Sequence, residues 1–239
     1  MSAASHSLPD CAVCPVPLEK RACRNPEGKG PAGCPCKTYG ETADAVASIY
    51  DQPEIREFAR HASLQEAAGY MDGGPGEGPR HPDKPRVLEI AEFARRLDRG
   101  PIGIAFCSGL RSEARLVAEL WRGMGLEVVS VICKVGTVPK ESLGLTDDEK
   151  VNPGSPESMC NPVGQALLLD RAGTGLNVAL GLCVGHDALF FQFSKAPVTV
   201  LAAKDRLYGH NPLAALSTLD SYNSWLREIR LGKGLRDSR

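Results

Sequence analysis

Residues 102–109, Ile-Gly-Ile-Ala-Phe-Cys-Ser-Gly, decide the fold of this chain. An apolar run that ends in a cysteine and a nearby glycine is typical of a buried strand followed by a sharp turn. The residues that follow, from Arg111 to Met124, have the amphipathic pattern of a helix. The stretch therefore predicts a strand that leads directly into a helix, which is the unit of a parallel sheet.

The same alternation continues toward the carboxyl terminus. The predicted strands are Ile102–Cys107, Glu127–Cys133, Asn177–Cys183 and Val198–Ala203, and the predicted helices are Arg111–Met124, Asn161–Arg171 and Asp187–Phe193. Strands that alternate with helices predict right-handed crossovers and a parallel sheet. We therefore expect an α/β, Rossmann-like open parallel sheet of about four strands with flanking helices.

Composition divides the chain into three predicted parts. Residues 1–40 are a Cys-rich metal-binding segment, residues 41–84 a helical segment with a Gly/Pro-rich linker, and residues 85–239 the α/β core domain. The helical segment contains two short helices, the second of which begins at Pro53. Glycine and proline over 72–82 predict a loop. Further helices are expected over 87–97 and 220–230.

Charge and the amino-terminal sequence restrict the partners and the compartment. Lys and Arg number 28 and Asp and Glu number 29, a formal net charge of −1, which favours neither nucleic acid nor a membrane surface as a partner. The chain has no secretory signal and no apolar run long enough to span a membrane, so we expect a cytoplasmic protein. In that reducing compartment, nine cysteines favour metal binding or catalysis over disulfides.

The amino-terminal cysteines have the spacing Cys11-x2-Cys14-x8-Cys23-x10-Cys34, and Cys36 follows two residues later. Four thiolates from one segment suit either a tetrahedral zinc site or a cubane iron–sulfur cluster. The segment has almost no periodic apolar pattern, so a bound metal would have to order it. The alternative is a set of free thiols in a disordered tail.

Four further cysteines lie where the predicted strands meet loops or helices: Cys107, Cys133, Cys160 and Cys183. The carboxyl ends of strands in an open α/β sheet border the ligand-binding crevice, so these thiols are predicted to hold a second metal or to line a substrate site. Each one alone is more often a small buried hydrophobe. A helix amino terminus lowers a thiol pKa, which suits a metal ligand and also a catalytic nucleophile.

Polar groups follow the same strand ends. His186, Asp187 and His210 are candidate catalytic residues for proton transfer, although His186 and His210 also suit metal ligation and Asp187 suits a helix cap. Four cationic residues are candidates to bind an anionic substrate or to offset the charge of a thiolate-bound cluster: Lys134, Lys195, Lys204 and Arg206.

The segment from Ala22 to Cys34, with Cys23-Arg-Asn-Pro26 followed by a glycine-rich tract, resembles the cubane-binding region of carbon monoxide dehydrogenases and hybrid-cluster proteins. The resemblance covers about 25 residues and implies an iron–sulfur cluster in preference to zinc. The gap between Cys14 and Cys23 is longer than in those enzymes, and Cys36 has no counterpart there.

From Cys11 to about Leu226 the chain also resembles an uncharacterised bacterial and archaeal family of cysteine-rich metal-binding proteins. The motifs that carry this resemblance are Gly103-Ile-Ala-Phe-Cys107, Cys133-Lys-Val-Gly136, Cys160-Asn-Pro162 with Gln165-Ala166, Gly181-Leu-Cys-Val-Gly-His-Asp187, and Lys204-Asp-Arg206 with His210-Asn-Pro212. The resemblance implies metal binding and implies no particular reaction.

Three functions are therefore in competition. The first is a redox iron–sulfur protein with one or two clusters, most simply 4Fe-4S, which serves an electron-transfer partner or a small-molecule substrate as an oxidoreductase or lyase. The second is a zinc-binding structural or ligand-binding module without catalysis. The third is a metal-free cysteine-dependent enzyme. The sequence does not indicate the oligomeric state.

Overall fold

The computed structural model describes residues 9–71 and 81–229, which form parts of two compact units, residues 1–63 and 64–239. The helices are α1 Pro35–Thr38, α2 Gly40–Tyr50, α3 Pro53–Ala68, α4 Arg86–Leu97, α5 Arg111–Gly123, α6 Pro162–Arg171, α7 His186–Phe193, α8 Leu213–Ser217 and α9 Trp225–Ile229. The strands are β1 Ile102–Phe106, β2 Val128–Ile132, β3 Leu176–Leu180 and β4 Val198–Ala202.

The amino-terminal unit begins with a segment that has no core of its own. No residue from Pro9 to Gly40 is buried. Backbone hydrogen bonds fold this segment back on itself, since the Ala22 amide donates to the Lys29 carbonyl at 2.9 Å and the Lys29 amide donates to the Lys20 carbonyl at 2.8 Å. Hydrophobic burial therefore contributes little to the stability of this segment.

The larger unit is built on a four-stranded parallel sheet in the order β2-β1-β3-β4. Strand β1 is central and pairs with β2 and β3, with Ile104 opposite Ser130 on one side and Val178 on the other. The predicted α/β, Rossmann-like fold is confirmed. The four strands lie within three residues of their predicted bounds because each is a compact apolar run.

Small residues in β1 and β3 allow a helix to pack closely on the sheet. Ala105 and Ala179 pack with Ala166, Leu169 and Phe190 in one fully buried cluster. Helix α5 buries a stripe of apolar residues, and its Trp121 donates an indole hydrogen bond to the Val87 carbonyl at 2.9 Å. This bond links α5 to α4.

The carboxyl-terminal part differs from the prediction. In place of a helix over 220–230, the structure has turns and then the five-residue α9, and it adds α8, which the sequence pattern did not indicate. Buried Asn223 donates to the Ala215 carbonyl at 3.2 Å and to the Thr218 hydroxyl at 2.7 Å. These side-chain bonds favour turns over an early helix start. The end of the predicted helix lies outside the described residues.

Most of the predicted loop over 72–82 lies outside the described residues. The structure describes His81 and Pro82 of this loop. His81 is exposed. Among the helices in the described parts of the chain, none is long and apolar enough to cross a membrane.

Candidate functional site

The strand order places a crevice beside two of the predicted cysteines. From β1 the chain goes to β2 on one side, and it then returns to β3 on the other side of β1. Ligands in open α/β sheets bind at the carboxyl ends of the strands where the order reverses in this way. Cys107 directly follows β1, and Cys183 lies in the loop between β3 and α7.

Backbone hydrogen bonds bring the other two core cysteines to the same place. Cys133 directly follows β2, and its amide donates to the Phe106 carbonyl at 2.9 Å. The Asn161 amide in turn donates to the Cys133 carbonyl at 2.7 Å, which holds Cys160 beside Cys133. The Asn161 side chain also caps α6, because its Oδ1 accepts from the Gly164 amide at 2.8 Å.

The four core thiols line one narrow cavity together with Gln165, Leu182 and His186. Cys133 is the most deeply placed of the four, with 2% of its surface exposed. Two thiols accept hydrogen bonds from fixed donors: the Ser108 amide lies 3.3 Å from the Cys133 Sγ, and the Arg206 Nη2 lies 3.1 Å from the Cys183 Sγ. All nine cysteines are free thiols.

Cys133 and Cys160 titrate as a pair. The Cys160 thiol donates a hydrogen bond to Cys133, and this bond, with the Ser108 amide and the charge of Lys134, lowers the pKa of Cys133 from 9.0 to about 5. The same bond, burial and the negative charge on Cys133 raise the pKa of Cys160. The site therefore holds one thiolate at neutral pH even without a bound metal.

Two buried polar atoms at this cavity have no partner within the described residues: Gln165 Oε1 and His186 Nδ1. The Gln165 amide nitrogen is fully used, since it donates to the Phe106 carbonyl at 3.2 Å and to the Val131 carbonyl at 2.7 Å. Its oxygen is a buried acceptor, which is costly to leave without a donor or cation.

The side chains as placed do not form a closed metal site. Over residues 9–71 and 81–229, no group of three or more His, Cys, Asp or Glu side chains has an arrangement that could hold a metal ion. The structure brings the predicted ligands together at one cavity, and their role as ligands stays a prediction.

A cleft of about 750 Å³ adjoins the thiol cavity and shares Cys107, Cys160, Cys183 and His186 with it. Four cationic side chains line this cleft, Lys134, Lys140, Lys204 and Arg206, together with the acidic Glu157. The loop between β2 and α6 contributes apolar residues to the lining: Leu143, Leu145, Val151 and Met159.

Only some of the predicted catalytic and cationic residues line the cleft. His210 lines the cleft, and its Nδ1 accepts from the Asp205 amide at 3.2 Å. Asp187 does not line the cleft, and its Oδ1 accepts from the Gly185 and Ala188 amides at 3.0 and 2.8 Å. Lys195 is also elsewhere, 2.7 Å from the Asp170 carboxylate.

The amino-terminal thiols form a second group within their own unit. Cys11, Cys14 and Cys34 line one depression. Cys36 lies near Cys34, Cys23 and Cys11, and partial desolvation together with these neighbouring thiols raises the pKa of Cys36. The structure therefore brings all four predicted ligands and Cys36 into one neighbourhood.

Glycines keep this group compact. A Cβ at Gly30 would lie 2.5 Å from the Cys34 Sγ, and one at Gly28 would lie 2.4 Å from the Arg21 carbonyl oxygen. Arg21 closes the loop that follows the first two cysteines, because its guanidinium donates to the Val16 carbonyl at 2.7 Å and to the Cys14 carbonyl at 3.1 Å.

The model of the family described as "Protein of unknown function (DUF1847)" matches residues 34–201, a range that contains all four core cysteines. The chain belongs to this family. An uncharacterised protein of Methanocaldococcus jannaschii is 40% identical over 201 residues, which cover 84% of this chain and 93% of that relative. No solved structure matches. The family description names no reaction. The likeness of the amino-terminal segment to carbon monoxide dehydrogenases and hybrid-cluster proteins stays a prediction.

Gln165 is a site residue whose role the sequence did not indicate, although it lies in one of the motifs quoted above. A glutamine inside an apolar helix, between Gly164 and Ala166, is the signal that points to a buried polar role. Lys140, which also lines the cleft, comes from a loop whose position no periodicity predicts.

Proposed function

We propose that this DUF1847 protein is a redox metalloprotein that holds a 4Fe-4S cluster on Cys11, Cys14, Cys23 and Cys34 and a second metal centre on the four core thiols. The observation that carries the proposal is the convergence of Cys107, Cys133, Cys160 and Cys183 on one cavity from the three connections that follow β1, β2 and β3. When bound, an iron–sulfur cluster supplies one-electron transfer.

The donor chemistry of the core cavity supports a metal. Its thiols are free, and one of them is a thiolate at neutral pH. Gln165 Oε1 and His186 Nδ1 border the same cavity without a partner from the described residues. An imidazole nitrogen is a further ligand atom for a metal ion, and a water bound to that ion would donate to an amide oxygen.

A metal in the amino-terminal unit is supported by a different observation, the lack of a buried core over residues 9–40. Residues 9–40 contain five thiols and no buried residue, so side-chain packing cannot balance the conformational entropy lost on ordering. Binding of a metal group to four thiolates supplies that free energy in small domains without a core.

One observation favours zinc as a second candidate at the core. Cys133 and Cys160 are already within hydrogen-bonding distance of each other. Ligand sulfurs about 3.8 Å apart suit a single tetrahedral ion, given a zinc–sulfur bond of about 2.3 Å. A cubane would require these two thiols to move apart. With zinc at the core, the α/β unit is a structural or ligand-binding module without redox chemistry.

Metal and sulfide analysis after anaerobic purification tests the proposal. We expect iron and acid-labile sulfide, with broad visible absorbance that oxidation bleaches. Cys11→Ser is expected to remove the amino-terminal share of the iron, and Cys107→Ser is expected to remove the metal of the core. Cys36→Ser is the matched control and retains both.

A colourless protein with stoichiometric zinc would support the second candidate and overturn the first. A protein free of any metal would overturn both, and it would leave the cysteine-dependent enzyme as the reading to pursue.

A further inference from the structure

We infer that the cleft beside the core thiols binds an organic anion, with its phosphate or carboxylate head at the cationic end and an apolar body against the loop that connects β2 and α6. This inference goes beyond the proposed function, because the groups that carry it are not thiols.

Among the described residues, only one of the four cationic side chains of the cleft is paired with a carboxylate. Of its cationic residues, Lys140 is paired with Glu157 at 3.0 Å. Lys134 donates to the Ser158 carbonyl, and Lys204 and Arg206 have no carboxylate partner among residues 9–71 and 81–229. Cations that lack a carboxylate partner in a concave site attract anions more strongly than the same charges on a flat surface.

The cationic groups lie beside the crevice of the sheet. Lys204 Nζ is 3.8 Å from the position that a Cβ at Gly181 would occupy, which places it just past the end of β3. Arg206 contacts Cys183 in the adjoining loop. Ser108 and Gly109, which lead into α5, line the same cleft, and the amino terminus of that 13-residue helix adds a favourable dipole for an anion.

The apolar residues that line the cleft indicate the chemistry of the rest of the ligand. Leu143 and Val151 line the cleft although 62% and 76% of their surfaces are exposed. The loop that carries them is tied down by Lys150, which contacts Glu141 and Asp147. A loop that is held in place and presents apolar side chains to a cleft that also contains cations suits a molecule with a charged head and an apolar body.

Titration calorimetry with hexyl phosphate, hexanoate, inorganic phosphate and hexanol tests the inference on protein whose metal content is measured in the same sample. We expect saturable binding of hexyl phosphate, hexanoate or both, and the stronger of the two identifies the head group. Inorganic phosphate is expected to bind more weakly, and hexanol not at all.

Lys204→Gln is expected to weaken the binding about tenfold, because it removes one charge-assisted hydrogen bond. Lys195→Gln is the matched control, since Lys195 pairs with Asp170 away from the cleft, and it leaves binding unchanged. Leu143→Ser, at an exposed position, is expected to weaken hexyl phosphate binding and to leave inorganic phosphate unaffected.

Absence of saturable anion binding, or an equal loss in Lys204→Gln and Lys195→Gln, would overturn the inference. Either result in a metal-loaded sample would contradict anion binding in the cleft and would leave the metal proposal standing. Saturable binding by a metal-free sample would support the cleft and count against the metal proposal alone.

Discussion

Cys133 is the residue on which the chemistry of the core site depends most directly. Its amide, its carbonyl and its thiol are all bonded to neighbouring segments, namely to Phe106, Asn161 and Ser108. The shift of its pKa from 9.0 to about 5 means that the folded metal-free protein binds fewer protons than the unfolded chain between these two values.

The first prediction concerns this thiol. In the metal-free protein, the ultraviolet absorbance of thiolate is expected to fall as the pH is lowered through about 5, because Cys133 becomes protonated there. Cys160→Ala removes the donor and should move this transition to higher pH, while Cys133→Ser should abolish it. The same transition in Cys133→Ser would contradict the assignment.

The same shift has a consequence for stability. Cys133 contributes stability fully above pH 9.0, and this contribution falls progressively as the pH drops to about 5. The raised pKa of Cys160 acts in the opposite direction, and its contribution is lost as the pH rises above the ordinary value of 9.0.

The second prediction concerns Gln165. Gln165→Leu should lower the free energy of unfolding by about 1 kcal/mol, because the Val131 carbonyl loses its side-chain donor. The Phe106 carbonyl keeps the Cys133 amide, and the substitution also removes Oε1, which has no partner among the described residues. Urea denaturation measures this change. Gln192→Leu, at an exposed position on α7, is the control. Equal stability of the two variants would show that the hydrogen bonds of the Gln165 side chain contribute nothing to the stability of the fold.

At the scale of elements, close packing between β1, β3 and α6 positions the loops that carry the thiols. A Cβ at Gly103 would lie 2.3 Å from the Asn177 Oδ1 and 3.1 Å from the Leu169 methyl groups. Only a residue without a side chain fits there, so the spacing of the strand and the helix depends on this glycine.

The third prediction is that Gly103→Ala destabilises the protein by about 1–3 kcal/mol through overpacking. Gly123→Ala is the matched control in α5, where the added methyl group would meet nothing within 4 Å, and alanine there should be neutral or stabilising. Thermal unfolding of both variants measures the difference. A Gly103→Ala protein as stable as wild type would show that the sheet adjusts freely.

The regular elements of the core were largely predictable because each is coded by local apolar periodicity, as in β1 and α5. The carboxyl-terminal helices were not, since the side-chain bonds of Asn223 to Thr218 and Ala215 favour turns, and apolar periodicity does not report such bonds. The sequence also indicated that Cys107 and Cys133 end strands. It did not indicate which strands are neighbours, because strand order is set by packing of the whole sheet.

At the scale of the whole molecule, the two compact units are stabilised in different ways. The larger unit has a buried core that includes Ile104, Val178 and Phe190. The segment 9–40 has none, so its order is expected to depend on a bound metal. This difference explains why the sequence predicted the α/β core in detail and predicted only a metal-binding motif for the amino-terminal segment.

The fourth prediction follows from this difference. Removal of metal by a chelator should abolish hydrogen-exchange protection of the Ala22 and Lys29 amides, whereas the amides of β1 and β3 should stay protected. Mass spectrometry of peptides from the two regions measures both. Unchanged protection of Ala22 and Lys29 after metal removal would show that the segment folds without a metal.

X-ray absorption at the edge of the metal that copurifies with the protein tests the proposal that thiolates hold a metal at both sites. We expect iron surrounded by sulfur, with a second signal from neighbouring iron atoms, and a loss of the core share of the metal in Cys107→Ser. A metal surrounded only by oxygen and nitrogen, or a Cys107→Ser protein with the same spectrum and metal content as wild type, would contradict it.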